Sequence, residues 1–509
     1  MTQQNRRALS IQEPLRRAVP SIERRRLLGA ALAGGLGFAG AGTLAGCSVM
    51  APAGTQTPRE PTFTIRNAVV VSMDRSVGDF AAADVVIRDG VIEAVGPGAA
   101  SGRNGPVIDG SGMIVMPGFV ETHWHLWSSV TRNMLRDGVE YFPLKNALMP
   151  HFTPADYSIG NRLGLAEAAA AGLTTVNNFA HSTRTQAHVD AELAAMAASG
   201  LRGRYSYGNR DPMPNEEVMP IDDVLRVQRE WFGPTSPKAG ALLQLGVAPR
   251  GPALSTPTVY AIEYRAALAA KLPVVVHTGQ SRFAYVSAAK LLADGLIAAD
   301  TILVHALMQT EADRAAIRAV GASVSFAPQS ELRLQGEGDF RAQLLHMKAE
   351  GINVCLSLDA TTLASVSMFD QMSTVWYLGA PWRGTSTEKL ARISFRDCLE
   401  MATINGARAL GIADRVGSLT PGKRADLLMI RATDLNMVPA GNVFSALVRA
   451  ATVANIDSVV VDGHFVKHGG QLVGIDTAAL AREAAASLYQ IRSRAGGVWA
   501  PESAAPGTY

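Results

Sequence analysis

The sequence predicts an α/β protein, a (β/α)8 TIM-like barrel with a small β-sandwich built from both flanks of the chain. Three observations carry this prediction. Between residues 117 and 415, eight apolar runs alternate with helix-type segments and end near His123, Phe179, Tyr207, Val247, His277, His305, Phe326 and Leu358. On either side of that stretch the rhythm changes to short strands separated by turn residues. Several of the runs end on His or Asp, where a barrel of this kind keeps its active groups. A doubly wound open sheet is the competing architecture. The count of eight, and the lack of Gly-x-Gly-x-x-Gly after the first run, favour the barrel.

The amino terminus stands outside this fold. Arg24-Arg25-Arg26-Leu27-Leu28 precedes a small, glycine-rich apolar stretch ending in Leu44-Ala45-Gly46-Cys47. A basic region, a short apolar region and small residues before a cleavage point describe an export signal. The stretch is too glycine-rich and too short for a membrane span. The arginines resemble a twin-arginine signal, which exports folded proteins, and Leu44 to Cys47 resembles a bacterial lipobox. Residues 1–47 are therefore expected to be a lipoprotein signal, with Cys47 lipidated and the protein tethered on the periplasmic side of a membrane. A plain signal peptide with an incidental cysteine is the alternative. Residues 48–61, rich in Ala, Pro, Gly and Thr, are expected to be a flexible tether. Of 3 cysteines, only Cys355 and Cys398 remain after the signal, so disulfides are not the basis of the fold.

Residues 62–116 form the first part of the sandwich. Apolar alternation surrounds a hairpin turn at Asp89-Gly90. Residues 117–415 form the barrel, whose helices include Ala166 to Ala171, stopped by Gly172. Residues 416–475 supply the second part of the sandwich, with strand-like runs from Gly417 to Ile430 and from Ser458 to Gly463. Residues 476–509 form a C-terminal helix and tail.

The chemistry collects at the ends of the apolar runs. His123 and His125 are two residues apart, so on a strand both imidazoles project to one face. The fifth run ends on His277, the sixth on His305 and the eighth on Asp359. Three imidazoles and a carboxylate around an open position are the ligand set of a catalytic divalent metal, most often zinc, with Fe2+ or Mn2+ as alternatives. A cation so held brings the pKa of a bound water to about 7. A structural zinc site is the competing interpretation, but such sites usually use cysteine.

Pro117-Gly118-Phe119-Val120-Glu121-Thr122-His123-Trp124-His125, with Ala402 to Gly411 and Pro421 to Asp426, resembles the amidohydrolase superfamily. The similarity runs from about Phe63 to Gly470 and is to the mononuclear branch of cytosine deaminases and ATZ/TRZ chlorohydrolase-like enzymes. The resemblance implies that His123, His125, His277 and Asp359 hold one metal. It further implies that Asp359 accepts the proton of the attacking water, and that His305 orients this water or stabilises the oxyanion. No lysine ends the fourth run, so a carbamate-bridged pair of metals is not expected. Deaminases of this branch carry His-x-x-Glu after the fifth strand, whereas this chain has His277-Thr278-Gly279-Gln280. A glutamine amide donates a hydrogen bond but cannot shuttle a proton.

Gln280 therefore tilts the expected function from heterocycle deamination towards hydrolysis of another non-peptide C–N bond in a small, aromatic or heterocyclic substrate. A hydrolytic deaminase or chlorohydrolase of a nucleobase- or triazine-like ring is the alternative. A solute-binding lipoprotein without catalysis is the alternative of another class. His181, Gln329, Arg250 and Trp127 are candidate substrate contacts by their placement after strands, with Ser330 beside Gln329. Trp124, Trp376 and Trp382 are candidates for an aromatic pocket, although core packing is the commoner role of Trp. A formal charge of +3, without a basic patch interleaved with aromatics, excludes nucleic acid as a partner. The expected partner is a small molecule, with membrane contact only through the lipid anchor, and a homo-oligomer is compatible with the sequence.

Overall fold

The computed structural model describes residues 61–500, apart from 139, 253, 280–284, 335–337 and 380–391. The signal region with Cys47, the tether up to residue 60, Gln280 and Trp382 lie outside the described residues. The amino-terminal flank forms β1 (Phe63–Val71), β2 (Asp79–Arg88), β3 (Val91–Gly96), β4 (Val107–Asp109) and β5 (Met113–Pro117). Asp89 and Gly90, at φ 50° and 72°, turn β2 into β3 with the left-handed pair that a two-residue hairpin requires.

The chain then alternates strands with helices. β6 (Phe119–Trp124), β7 (Leu173–Ala180), β8 (Arg202–Gly208) and β9 (Leu243–Ala248) form one four-stranded parallel sheet. β10 (Val275–His277), β11 (Ile302–Val304), β12 (Ser323–Phe326) and β13 (Asn353–Leu356) form a second. Isolated parallel bridges, Val247 with Val274 and Trp124 with Asp359, link the two sheets at both edges. Every residue of β6, β7 and β8 is buried, as expected for strands covered on both faces. Their polar side chains must therefore find internal partners. Asn177 Nδ2 donates to the Thr122 carbonyl at 2.7 Å, and Ser206 Oγ donates to Asn177 Oδ1 at 2.7 Å.

Between β6 and β7 lies the helix Pro154–Ala170, started by a Thr153–Asp156 capping box. Gly172 follows it at φ 81°, where a Cβ would also come within 2.9 Å of Ile456 Cδ1. Both conditions explain why the sequence uses glycine to end this helix.

The carboxyl-terminal flank forms β14 (Leu427–Arg431), β15 (Ile456–Val461), β16 (His464–His468) and β17 (Gln471–Leu472). The strand expected from Gly417 begins only at Leu427. Gly417 and Gly422 sit at φ 89° and 95°, outside the extended range. The intervening backbone instead bonds other segments, Leu419 N to Ser72 O at 2.8 Å and Gly422 N to Ile92 O at 2.8 Å. β14 pairs antiparallel with β5, so both flanks join one nine-stranded sheet in the order β17-β16-β15-β14-β5-β1-β2-β3, with β4 beside β1. Ile65, Val85, Ile87, Ile92, Leu427, Met429 and Val460 share one buried apolar cluster in this sheet.

Arg202 at the start of β8 grips Asp426 with two bonds, at 2.9 and 3.1 Å, and so ties a parallel sheet to the flanks. The C-terminal helix Thr477–Ala495 docks on Pro154–Ala170 through Ser487 Oγ to Asp156 Oδ1 at 2.6 Å and Arg162 to Glu483 at 2.7 Å. Among the described residues, no helix is long and apolar enough to cross a membrane.

Candidate active site

The carboxyl ends of the parallel strands bring His123, His125, His277 and Asp359 together. One ligand atom from each lies within 4.8 Å of all the others. Two backbone bonds fix this meeting point: Asp359 N donates to the His123 carbonyl at 2.9 Å, and His125 N donates to the Asp359 carbonyl at 2.7 Å. Nε2 of His123 and of His125 lie 3.3 and 3.2 Å from the same oxygen, Asp359 Oδ1. His125 Nδ1 donates to the Phe179 carbonyl at 3.1 Å, which leaves the lone pair of its Nε2 facing the group.

The donor set fits a divalent cation. Burial, reinforced by the neighbouring imidazoles, keeps His277 well below its ordinary range, and burial brings His123 down to about 3. Both rings are therefore neutral at neutral pH, the form a metal requires. Burial opposes ionisation of Asp359, but its contacts with the His123 and His125 rings outweigh it and hold the carboxyl well below the usual range. Among the described residues, His123 Nδ1 is buried without a hydrogen-bond partner.

His305 lies beside the cluster. Its ring stacks on His277 at 5.6 Å between centroids, and its Nδ1 is 3.2 Å from Glu331 Oε1. Burial lowers its pKa, but the bond to Glu331 and the charges of Asp359 and Glu331 more than offset this, so the net direction is upward. His181 also reaches the site, with its ring 4.2 Å from that of His125 and its Nε2 3.9 Å from Asp211 Oδ2. Trp127 approaches His181 at 5.8 Å. The same indole lines a small cavity with Thr131, Tyr141, Leu144, Lys145, Leu148 and Thr362, and Lys145 is bonded to Asp211.

Two other candidate contacts are engaged elsewhere. Arg250 bonds Glu263 and the carbonyls of Met213, Pro214 and Glu217, which fastens the loop after β8. Gln329 bonds Gln371 and Ser365, and Trp376 stacks on Phe395. Trp124 is fully buried and donates to Thr361 Oγ1 at 2.9 Å, which makes it a wall of the core.

The structure adds groups that the strand-end rule missed. Glu121 is fully buried and accepts from His123 N at 2.8 Å and Leu358 N at 3.2 Å, joining β6 to the segment after β13. Burial pushes its carboxyl up to about 8. Its spacing of two from His123 was a usable signal, because such residues share a strand face. Ser330 Oγ bonds Asp359 Oδ2, and Glu331 sits behind His305. Ser330 was expected only as a substrate contact after the seventh strand, and Glu331 had no local signal, since both partners arrive from other strands.

Residues 114–466 match the amidohydrolase family. In sequence the chain is similar to the 5-methylthioadenosine/S-adenosylhomocysteine deaminase of Desulforudis audaxviator (strain MP104C), with 28% identity over 442 residues, 82% of this chain and 96% of that protein. In structure it is similar to an adenosine deaminase from Xanthomonas campestris with bound zinc, at a TM-score of 0.74 and 24% identity over 86% of this chain and 100% of the other. It is also similar to the atrazine chlorohydrolase TrzN from Arthrobacter aurescens TC1 complexed with zinc, at a TM-score of 0.72 and 20% identity over 84% and 99% of the two chains. The shared fold implies a TIM-like barrel. The ligand group, together with zinc in both neighbours, supports a single divalent metal. The chain therefore belongs to the amidohydrolase family and is a metal-dependent hydrolase of carbon–nitrogen bonds other than peptide bonds.

Proposed function

We propose that the protein hydrolyses a non-peptide C–N bond, such as that of an amide, urea or carbamate, in a small aromatic or heterocyclic substrate. The observation that carries this is the approach of three imidazoles and one carboxylate, from three separate segments, to within 4.8 Å. A metal bound there supplies a water acidic enough to attack at neutral pH. His123, His125, His277 and Asp359 hold it, and Asp359 also takes the proton of the attacking water. His181 and Trp127 contact the substrate. The similarity to a 5-methylthioadenosine/S-adenosylhomocysteine deaminase and to an atrazine chlorohydrolase supports a heterocycle.

The test is turnover by the zinc-loaded protein on a panel of amino-heterocycles, amides, ureas and carbamates. His123→Ala and Asp359→Asn are each expected to lower kcat by roughly 10³-fold or more while circular dichroism stays native. Wild-type turnover in either variant would discard the proposal.

Deamination is the second interpretation, favoured by the names of the relatives and opposed by Gln280. If ring protonation limits the rate, Gln280→Glu raises ammonia release on the amino-heterocycles. An unchanged or lower rate selects hydrolysis of another C–N bond, with Asp359 as both base and acid.

In the same proposal, 117–415 act as one closed (β/α)8 barrel, supported by the two bridges at the sheet edges. Residues 62–116 and 416–475 make a sandwich, supported by their shared apolar cluster, and 476–509 form the terminal segment that carries the helix Thr477–Ala495. Export by the signal in 1–47, lipidation of Cys47 and a periplasmic location rest on the sequence motifs.

A further inference from the structure

The ligand set accounts for neither His305 nor Glu331, yet the two form a tightly buried pair. Glu331 is 1% exposed. Its Oε1 lies 3.2 Å from His305 Nδ1 and accepts Ala327 N at 2.9 Å. Its other oxygen, Oε2, is buried with no hydrogen-bond partner among the described residues. A carboxylate oxygen only accepts, so the nitrogen facing it must carry a hydrogen. For a neutral imidazole this places the lone pair on Nε2.

We infer that Glu331 is a positioning residue: by taking the Nδ1 hydrogen of His305, it makes that ring a hydrogen-bond acceptor towards the attacking water. The inference rests on the C–N hydrolase proposal and selects between two roles, because an acceptor orients water whereas an oxyanion needs a donor. Two further observations support it. His305 holds a left-handed backbone at φ 71°, and its N donates to Ser325 O at 2.9 Å, so the ring is placed from both ends. Asp359 Oδ1 faces His123 and His125 while Oδ2 takes Ser330, so a second acceptor for the water has a use. Position 280 has no carboxylate, and Glu331 enters from the helix Pro328–Leu334, after β12.

The test uses zinc-loaded protein labelled with ¹⁵N-histidine. The expected spectrum has His305 protonated on Nδ1 and unprotonated on Nε2. Glu331→Met should abolish that single tautomer and lower kcat roughly 10- to 100-fold, with KM and zinc content unchanged. Glu331→Gln, whose amide oxygen keeps both acceptor contacts, should preserve the tautomer and restore most of the rate. A wild-type spectrum with the hydrogen on Nε2 overturns the inference, as does Glu331→Met with unaltered tautomer and kcat. If Glu331→Met fails to fold, the wild-type spectrum still decides. The spectrum needs no substrate, so a protein inactive on every C–N substrate overturns the proposed function and leaves this inference to the tautomer.

Discussion

At the scale of single residues, the site is held by bonds between segments distant in the chain. Asp359 adopts φ 65°, a conformation that costs a non-glycine residue roughly 1–3 kcal/mol. Its two backbone bonds to the His123–His125 segment stabilise that geometry and aim the carboxylate. Ser330 supplies the remaining constraint, a hydroxyl on Oδ2, with Ser330 fully buried. Ser330→Ala should therefore lower kcat about 10-fold or more, within the range for removing a partner of a metal-binding carboxylate. Its effect on stability should stay near 1 kcal/mol, the value of one hydrogen bond. Steady-state kinetics beside a thermal melt separates the two. A loss of stability without a loss of kcat would assign Ser330 to the core alone.

At the scale of elements, Glu192 shows how a helix is fixed to its sheet by polar groups. It lies on the helix Gln186–Ala198, fully buried, and accepts from Asn161 of Pro154–Ala170 at 3.1 Å and from Tyr205 of β8 at 3.1 Å. Burial raises its carboxyl from 4.5 to about 7, against the opposing bonds of Asn161 and Tyr205. The folded protein thus keeps a proton that the unfolded chain has released. Stability from this group is complete below pH 4.5 and is lost as pH rises through about 7. The loss amounts to about 3 kcal/mol by linkage. Urea unfolding at pH 5 and pH 8 should show this slope, and Glu192→Gln should flatten it. An identical slope in the variant would place the pH dependence elsewhere.

At the scale of the molecule, Asp426 connects the parallel sheets to the flanks. Arg202 and Asp426 have side chains 2% and 1% exposed, and Asp462 completes the cluster at 2.9 Å from Arg202. Removing one partner of a buried pair leaves the other charge uncompensated, at about 3–5 kcal/mol. Asp462 retains part of the compensation, so Asp426→Ala should cost about 3 kcal/mol, near the bottom of that range. A shift of the urea midpoint measures it. A midpoint within error of wild type would mean that the sheets are coupled by apolar contact alone. Asp426 was visible in the sequence only as part of Pro421 to Asp426, and its partner, 224 positions away in the chain, was not.

Local pattern was enough to locate most strands of the parallel sheets. β10 and β12 end at His277 and Phe326, as expected, and β6 to β9 end one residue beyond the predicted points. Apolar runs bounded by polar residues are a property of the strand itself, so no distant contact is needed to see them. The same rule found His123, His125, His277 and Asp359, because a barrel gathers the carboxyl ends of its strands on one face. It offered Arg250, after β9, as a substrate contact, and in the structure the Arg250 guanidinium bonds Glu263 and a loop carbonyl. It took Ser330 for a substrate contact rather than a partner of Asp359, and it passed over Glu121 and Glu331. Such residues act through bonds to distant segments, and only the folded backbone sets the distance and direction on which those bonds depend.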